Sequence, residues 1–216
     1  MKSYDVYIFD LDGTLLDTLD DLAASCNHAL HAMGMPVHST DDVRRFVGNG
    51  VRKLIERAVP DGEHNPAFEQ TLDIFRRHYM EHSLDSTRPY PGIMALLQNL
   101  KSQGKMVAVV SNKFDAATKS LCTHFFGQLV DVAIGESEKV RKKPAPDTVL
   151  EAIRLLGAEN KEVVYVGDSD VDIATAANSG IHCVSVLWGF RDRHFLTTHG
   201  ATEFVETPEE IIRIEK

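Results

Sequence analysis

Two hydrophobic rhythms alternate along the chain. Short runs rich in β-branched residues occur at Val6–Phe9, Met106–Val110, Val132–Ile134, Val163–Val166 and Cys183–Val186, with a weaker one at Phe204–Val205, and each ends in a polar or glycine-containing segment. Between them apolar residues recur at helical spacing over about Gly92–Ser102, Phe114–Phe126, Pro146–Leu156 and Asp170–Ser179. The last of these is followed by Gly180, which suits the left-handed residue that ends many helices. Strand and helix in alternation predict an α/β fold, a parallel sheet of Rossmann-like type covered by helices.

One stretch departs from that rhythm. From about Leu16 to Ser83 no strand-like run occurs. Instead Leu22, Ala23, Cys26, Leu30 and Met33 recur at helical spacing, followed by Val43, Phe46 and Val47, then Leu54, Ile55 and Ala58, then Phe68, Leu72, Phe75 and Tyr79. This predicts a helical insertion over residues 16–85 in a core formed by residues 1–15 and 86–216. The return passes through Arg88-Pro89-Tyr90-Pro91-Gly92, a segment suited to a hinge or linker.

Composition narrows the classes of function. With 216 residues, 43% of them hydrophobic, a sizeable core can be buried. Lys and Arg number 23 against 32 Asp and Glu, a net charge of −9, so nucleic-acid partners are not expected. No apolar run approaches the ~20 residues of a membrane span, and the four apolar residues before Asp10 are too few for a signal-peptide core. A cytoplasmic protein without membrane partners is expected. Cys26, Cys122 and Cys183 are odd in number and widely spaced, which fits buried thiols rather than disulfides or a metal clip.

Acidic residues cluster where strands end. Asp10-Leu11-Asp12-Gly13-Thr14-Leu15-Leu16-Asp17-Thr18 follows the first strand, and Gly167-Asp168-Ser169-Asp170-Val171-Asp172 follows the fourth. Ligands of open α/β sheets bind outside the carboxyl ends of strands, so both clusters lie where chemistry is expected. Two like charges at ~4 Å and an effective dielectric of ~20 repel by about 4 kcal/mol, which a bound cation or a shifted pKa must offset. Oxygen donors without a neighbouring imidazole favour Mg²⁺. Asp170 also reads as an N-cap for the following helix, and Asp17 as either a cap or a catalytic neighbour.

Two further segments could hold a phosphate. Val110-Ser111-Asn112-Lys113 brings a hydroxyl and backbone N–H groups to a strand-to-helix turn. Lys142-Lys143-Pro144-Ala145-Pro146-Asp147 aims a lysine just ahead of prolines that fix its approach, although a solvated basic run has the same composition.

In this order, at the ends of successive strands, these four segments resemble the haloacid dehalogenase superfamily, and the resemblance covers the whole chain. The insertion between the first motif and the second strand is similar to the α-helical cap of the subgroup that contains phosphoglycolate phosphatase. So are Gly48-Asn49-Gly50-Val51-Arg52, Tyr90-Pro91-Gly92, Ser111-Asn112-Lys113, Lys142-Lys143-Pro144-Ala145-Pro146-Asp147 and Trp188-Gly189-Phe190. The resemblance implies a Mg²⁺-dependent phosphatase acting on a small phosphorylated metabolite, 2-phosphoglycolate first. Asp10 would be the nucleophile and Asp12 the general acid and base. The metal would take Asp10, the Asp12 backbone carbonyl and Asp168, with Asp172 coordinating directly or from behind. Ser111, Asn112 and Lys143 would hold the phosphoryl group, and Gly48, Asn49, Gly50 and Arg52 would read the leaving group, Arg52 or Lys53 meeting a carboxylate.

Other readings compete. A sugar phosphomutase would be expected to carry a histidine early in the first cap helix, where this chain has Asp20, Asp21 and Leu22. A phosphonate hydrolase needs a cap lysine, for which Lys53 is the candidate. A pyrophosphatase and a noncatalytic binding module on the same fold stand beside these, and the intact set Asp10, Asp12, Lys143, Asp168 and Asp172 argues against the binder. His78-Tyr79-Met80-Glu81-His82 matches the H-x-x-E-H pattern of inverted zinc proteases, with both histidines on one helical face, but so short a motif recurs by chance. Gly48-Asn49-Gly50 lacks the third glycine of a dinucleotide loop and also reads as a simple helix–helix turn.

Overall fold

A strand buried on both faces needs apolar side chains at consecutive positions, and Val6-Tyr7-Ile8-Phe9 supplies four in a row. In the computed structural model, which describes residues 4–138 and 140–214, all four are buried. The elements in chain order are β1 (Val6–Phe9), β2 (Leu16–Asp17), α1 (Leu19–Ala32), α2 (Thr40–Phe46), α3 (Val51–Ala58), α4 (Phe68–His82) and β3 (Arg88–Pro89). They continue with α5 (Ile93–Ser102), β4 (Met106–Phe114), α6 (Asp115–Phe125), β5 (Val132–Glu136), α7 (Asp147–Leu156), β6 (Val163–Gly167) and α8 (Asp170–Ser179). The last four are β7 (His182–Val186), α9 (Arg193–Thr198), β8 (Phe204–Val205) and α10 (Pro208–Ile211).

Six strands form one parallel sheet in the order β5-β4-β1-β6-β7-β8. Alternate residues enter two separate cores. Tyr7, Phe9, Val107, Val109, Val164 and Val166 pack with α5 and α6, whereas Val6, Ile8, Ala108, Val110 and Tyr165 pack with Val149 and Ala152 of α7 and Ala176 of α8. The chain runs outward from β1 through β4 to β5, then returns on the other side of β1 at β6. This reversal makes the carboxyl edge of β1 and β6 a topological switch point.

The chain divides into two compact units: residues up to Leu16 together with those from Pro89 onward, and Asp17–Arg88. The second unit is the helical insertion. Its α1 and α4 pack together and bury Leu22, Cys26, Leu30, Leu72, Phe75 and Tyr79. Buried Asp21 near the start of the insertion accepts from the backbone N–H groups of Ser86 and Thr87 at its end, each at 2.9 Å. Among the described residues no helix is long and apolar enough to cross a membrane.

Several local expectations change. Leu16–Asp17 forms a short strand paired with Arg88–Pro89, too brief for a periodic pattern to reveal. Helices α9 and α10, of six and four residues, escaped for the same reason. Asp17 does not cap α1: Thr18 occupies the N-cap position without a side-chain cap bond, and Asp17 lies 3.8 Å from Arg88. Asp170 is not a cap either. Ser169 caps α8 and forms a reciprocal capping box with Asp172.

Candidate active site

Register places the acids. Phe9 pairs with Val109 on β4 and with Val166 on β6, so the residues just beyond, Asp10, Ser111 and Asp168, reach the same edge of the sheet. The Asp10 N–H donates to the Val166 carbonyl at 2.9 Å, which fixes the start of the loop. Beyond it the Leu11 carbonyl accepts from the N–H groups of Leu15 and Leu16, folding Asp12 and Thr14 back over the strand ends.

The Ser111–Lys113 segment is not the plain strand-to-helix turn that the sequence predicts. β4 runs on through Phe114, and its pairing with β5 jumps from Val110↔Ile134 to Phe114↔Glu136. Three residues on β4 therefore face one, Gly135, on β5, a bulge that turns Ser111, Asn112 and Lys113 out of regular pairing. Only glycine fits opposite it: a Cβ at Gly135 would stand 2.6 Å from the Lys113 carbonyl oxygen and 2.5 Å from the Asp115 Cα.

Asp10, Asp168 and Asp172 gather so tightly that one carboxylate oxygen of each lies within 4.8 Å of the others. Lys143, almost wholly buried, enters this cluster with Nζ 2.8 Å from Asp10 Oδ1 and 2.8 Å from Asp172 Oδ1. Tyr165 on β6 donates its hydroxyl to Asp172 Oδ1 at 2.8 Å and accepts from Lys143 Nζ at 3.0 Å. The other Asp172 oxygen accepts from the Ser169 hydroxyl at 2.6 Å and from the Ser169 and Asp168 N–H groups at 3.1 and 3.2 Å. Both Asp172 oxygens thus accept from protein donors, one from Lys143 and Tyr165 and the other from the loop after β6.

Asp168 is held from the other side. Its Oδ2 accepts from the Phe190 N–H at 2.7 Å and its Oδ1 faces the Thr14 hydroxyl at 3.3 Å. Trp188 in turn donates its indole N–H to the Thr14 carbonyl at 3.0 Å, so the Trp188-Gly189-Phe190 segment braces both acidic loops rather than only filling core. Glycine is required where they meet. Gly13 has φ +84° and a Cβ there would stand 2.4 Å from Asp168 Oδ2; one at Gly189 would stand 2.3 Å from the Asp168 Cβ.

One ammonium among three buried carboxylates leaves the cluster short of positive charge. Burial, and after it the Asp172 carboxylate, pushes Asp10 well above the usual carboxylate range despite Lys143. Burial followed by Asp172 pushes Asp168 up to about 7. For Lys143 burial opposes the charge, but Asp10 and Asp172 outweigh it and hold the side chain protonated beyond the ordinary lysine range. The uncompensated negative charge and the all-oxygen donor set suit a hard divalent cation. Asp10, Asp168 and Asp172 could each offer it a carboxylate oxygen, and those of Asp10 and Asp168 are less fully engaged with protein donors than those of Asp172.

Asp12 lies two residues from Asp10 and pairs with buried Lys113, whose Nζ is 3.0 Å from Asp12 Oδ1. Ser111 accepts the Lys113 N–H at 3.2 Å, and the Asn112 side chain donates to the Lys143 carbonyl at 3.0 Å, tying the β4 bulge to the loop that carries the lysine. Sequence reasoning left Lys113 without a role and did not pick out Tyr165. The available signal was a tyrosine inside an otherwise apolar strand, whose hydroxyl needs a buried partner.

The loop residues of the insertion are placed within their own unit. Gly48, Asn49 and Gly50 connect α2 to α3, with Gly48 and Gly50 at φ 123° and 85°. The Asn49 amide oxygen accepts from Arg57 at 2.7 Å. Arg52 donates to Glu63 at 2.9 Å and to both carboxylate oxygens of Glu69, at 2.6 and 3.2 Å, while its guanidinium lies over the Phe68 ring. Lys53 pairs with Glu56.

Comparison with known proteins agrees with this geometry. The family model for haloacid dehalogenase-like hydrolases matches residues 7–186. A phosphoglycolate phosphatase of Aquifex aeolicus is 36% identical over 186 residues, spanning 86% of this chain and 85% of that protein. One from Mesorhizobium japonicum is 34% identical over 96% of both chains. Among solved structures, a protein from Lactobacillus delbrueckii subsp. bulgaricus superposes with a TM-score of 0.93 at 35% identity over 98% of each chain. A predicted phosphoglycolate phosphatase from Haemophilus somnus superposes at 0.90 with 28% identity, covering 99% of this chain and 98% of its own. The chain belongs to the haloacid dehalogenase-like hydrolases, as a phosphatase similar to the phosphoglycolate phosphatases.

Proposed function

We propose that the protein is a Mg²⁺-dependent phosphatase that hydrolyses a small phosphate monoester, with 2-phosphoglycolate as the substrate to which its named relatives point. The observation that carries this reading is the pairing of two neighbouring acids with two different buried lysines: Asp10 with Lys143, and Asp12 with Lys113. A nucleophile and an acid–base group need separate surroundings, and this arrangement provides them.

The reaction runs in two displacements. A carboxylate oxygen of Asp10 attacks phosphorus, the bond from phosphorus to the leaving oxygen breaks, and an aspartyl phosphate forms. Asp12 gives its proton to the departing alkoxide. It then takes a proton from water, whose oxygen attacks phosphorus and frees Asp10 and inorganic phosphate. Lys113 orients the Asp12 carboxylate. Lys143, the Ser111 hydroxyl and backbone N–H groups of the β4 bulge hold the phosphoryl oxygens, supplying the positioning that phosphoryl transfer needs. Asp10, Asp168 and the Asp12 carbonyl would hold the ion, which when bound neutralises charge on the phosphoryl group. Asp172 acts from behind, through Lys143.

Phosphate release from 2-phosphoglycolate and from a panel of small phosphate esters tests the reading. The expected result is Mg²⁺-dependent turnover that EDTA abolishes and Ca²⁺ inhibits, because Ca²⁺ coordinates more loosely than the octahedral ion. Asp10→Asn should abolish turnover and the transient ³²P label on the protein. Near wild-type hydrolysis by Asp10→Asn, or full activity in EDTA, would overturn the mechanism.

A further inference from the structure

The helical unit carries a group of titratable side chains that phosphoryl transfer does not use. His78 and His82 lie one turn apart on α4 with ring centroids 4.2 Å apart and planes inclined by 25°. His28 on α1 stacks on His78 as well, with centroids 4.0 Å apart and planes inclined by 27°. A ring has only two faces, so the three imidazoles form a column across the α1–α4 packing with His78 in the middle. Face-to-face rings point their lone pairs nearly parallel rather than at one ion, and the zinc-protease reading of His78-Tyr79-Met80-Glu81-His82 lapses.

What such a column senses is protons, because neighbouring imidazoliums at 4.0 and 4.2 Å repel each other. His82, at one end, has a group that matches a positive charge: its Nδ1 lies 2.8 Å from Asp85 Oδ2. The middle ring has none so close. His78 Nδ1 lies 3.0 Å from the hydroxyl of buried Ser25 on α1, which serves the neutral and the charged ring alike, as donor to one and acceptor from the other, but brings no charge of its own. Burial, and after it His28 and His82, hold His78 below the usual histidine range; Asp85 and Glu81 pull the other way and are outweighed.

We propose that the His28–His78–His82 column is a pH-sensitive clasp of the helical unit, which holds α1 against α4 at neutral pH and loosens in mild acid, when a second ring of the stack must charge. The sign follows from linkage. A folded state that resists a proton loses stability where the unfolded chain takes that proton up, so the penalty is absent above the ordinary histidine value of 6.5 and grows as pH falls below it. The charged groups acting on His78 are His28 from α1, His82 and Glu81 from α4, and Asp85 just beyond α4. Ser25 and His28 belong to one helix and His78 and His82 to the other, so the effect falls on the α1–α4 contact. The six-stranded sheet holds no part of the column.

Hydrogen–deuterium exchange of the full chain at pH 7.5 and 5.5, corrected for the intrinsic exchange rate at each pH and read by mass spectrometry, tests this. Protection of α1 and α4 should fall by about threefold or more at pH 5.5, while that of β1 and β4 does not fall. His78→Gln keeps a hydrogen-bonding group toward Ser25 and cannot charge, so it should remove the loss. His82→Gln, at the half-exposed end of the column, should reduce it, and decides the matter alone if circular dichroism shows that His78→Gln does not fold. Equal protection of α1 and α4 at the two pH values in the wild type, or an undiminished loss in His82→Gln or in folded His78→Gln, would overturn the proposal.

Discussion

Tyr165 Oη sits 2.8 Å from Asp172 Oδ1, and the same carboxylate oxygen receives Lys143 Nζ at 2.8 Å. The tyrosine thereby fixes where the lysine can stand, although it lies in a strand and the lysine in a loop more than twenty residues earlier. Burial, and then the Asp172 and Asp10 carboxylates, push its hydroxyl well above the ordinary tyrosine range, so it stays a protonated donor. Removing that hydroxyl should loosen Lys143 without deleting any group that touches substrate.

Tyr165→Phe is expected to lower kcat by about 10- to 100-fold, the equivalent of one hydrogen bond to a charged group of ~1.5–3 kcal/mol, with KM changed much less. Steady-state kinetics on one phosphate ester decide this. A variant as active as wild type would mean that Asp172 aims Lys143 unaided.

Gly13→Ala should be among the most damaging small substitutions in the chain. The new Cβ meets Asp168 Oδ2 at 2.4 Å, and φ of +84° is a region that alanine adopts only with strain. A loss of roughly 1–3 kcal/mol from the backbone alone is expected, with the displaced acid adding to it. Denaturant unfolding should show the loss, and metal affinity should fall with it. Gly34→Ala, at φ +67° but with nothing within 4 Å of the new Cβ, separates backbone strain from collision.

The pH dependence of the metal-free protein follows from Asp168. Its folded-state pKa is raised to about 7 from an ordinary carboxylate value, so the folded state binds the proton more tightly than the unfolded state does. The group therefore penalises folding above pH 7, and the penalty fades as pH falls through 7 toward 4. In EDTA, Asp168→Asn should be more stable than wild type at pH 8, by on the order of 4 kcal/mol at most, and the two should converge near pH 4. Saturating Mg²⁺ should reverse the order at pH 8, since only the wild type retains the ligand. Parallel stability profiles for the two proteins would show that Asp168 is ionised in both states.

Arg52 is expected to act as a brace of the helical unit. Its guanidinium is matched by Glu63 and by both oxygens of Glu69, so a substrate carboxylate would have to displace two acids already in place. Arg52→Ala should change kcat/KM for 2-phosphoglycolate by less than threefold, and by the same factor for para-nitrophenyl phosphate, which carries no carboxylate. A selective loss of tenfold or more on 2-phosphoglycolate would instead make Arg52 the reader of the leaving group.

Local periodicity by itself determined the strands of the six-stranded sheet, though not the two-residue pair β2 and β3, because a fully buried strand must be apolar at every position, and Val6–Phe9 shows this without its neighbours. The long helical insertion was legible for the same reason, as were the acids, since Asp10, Asp12, Asp168 and Asp172 follow directly on strands whose ends are readable. Tertiary structure alone decided which partners each of them meets. Asp168 and Asp172 look equivalent in sequence, yet the capping box with Ser169 and the reach of Tyr165 and Lys143 spend both oxygens of Asp172 on protein donors. The partners of Asp12, the bulge opposite Gly135 and the commitment of Arg52 to Glu63 and Glu69 share that origin. Each depends on which side chains meet across strands and loops far apart in sequence, and one chain's local spacing carries no record of those meetings.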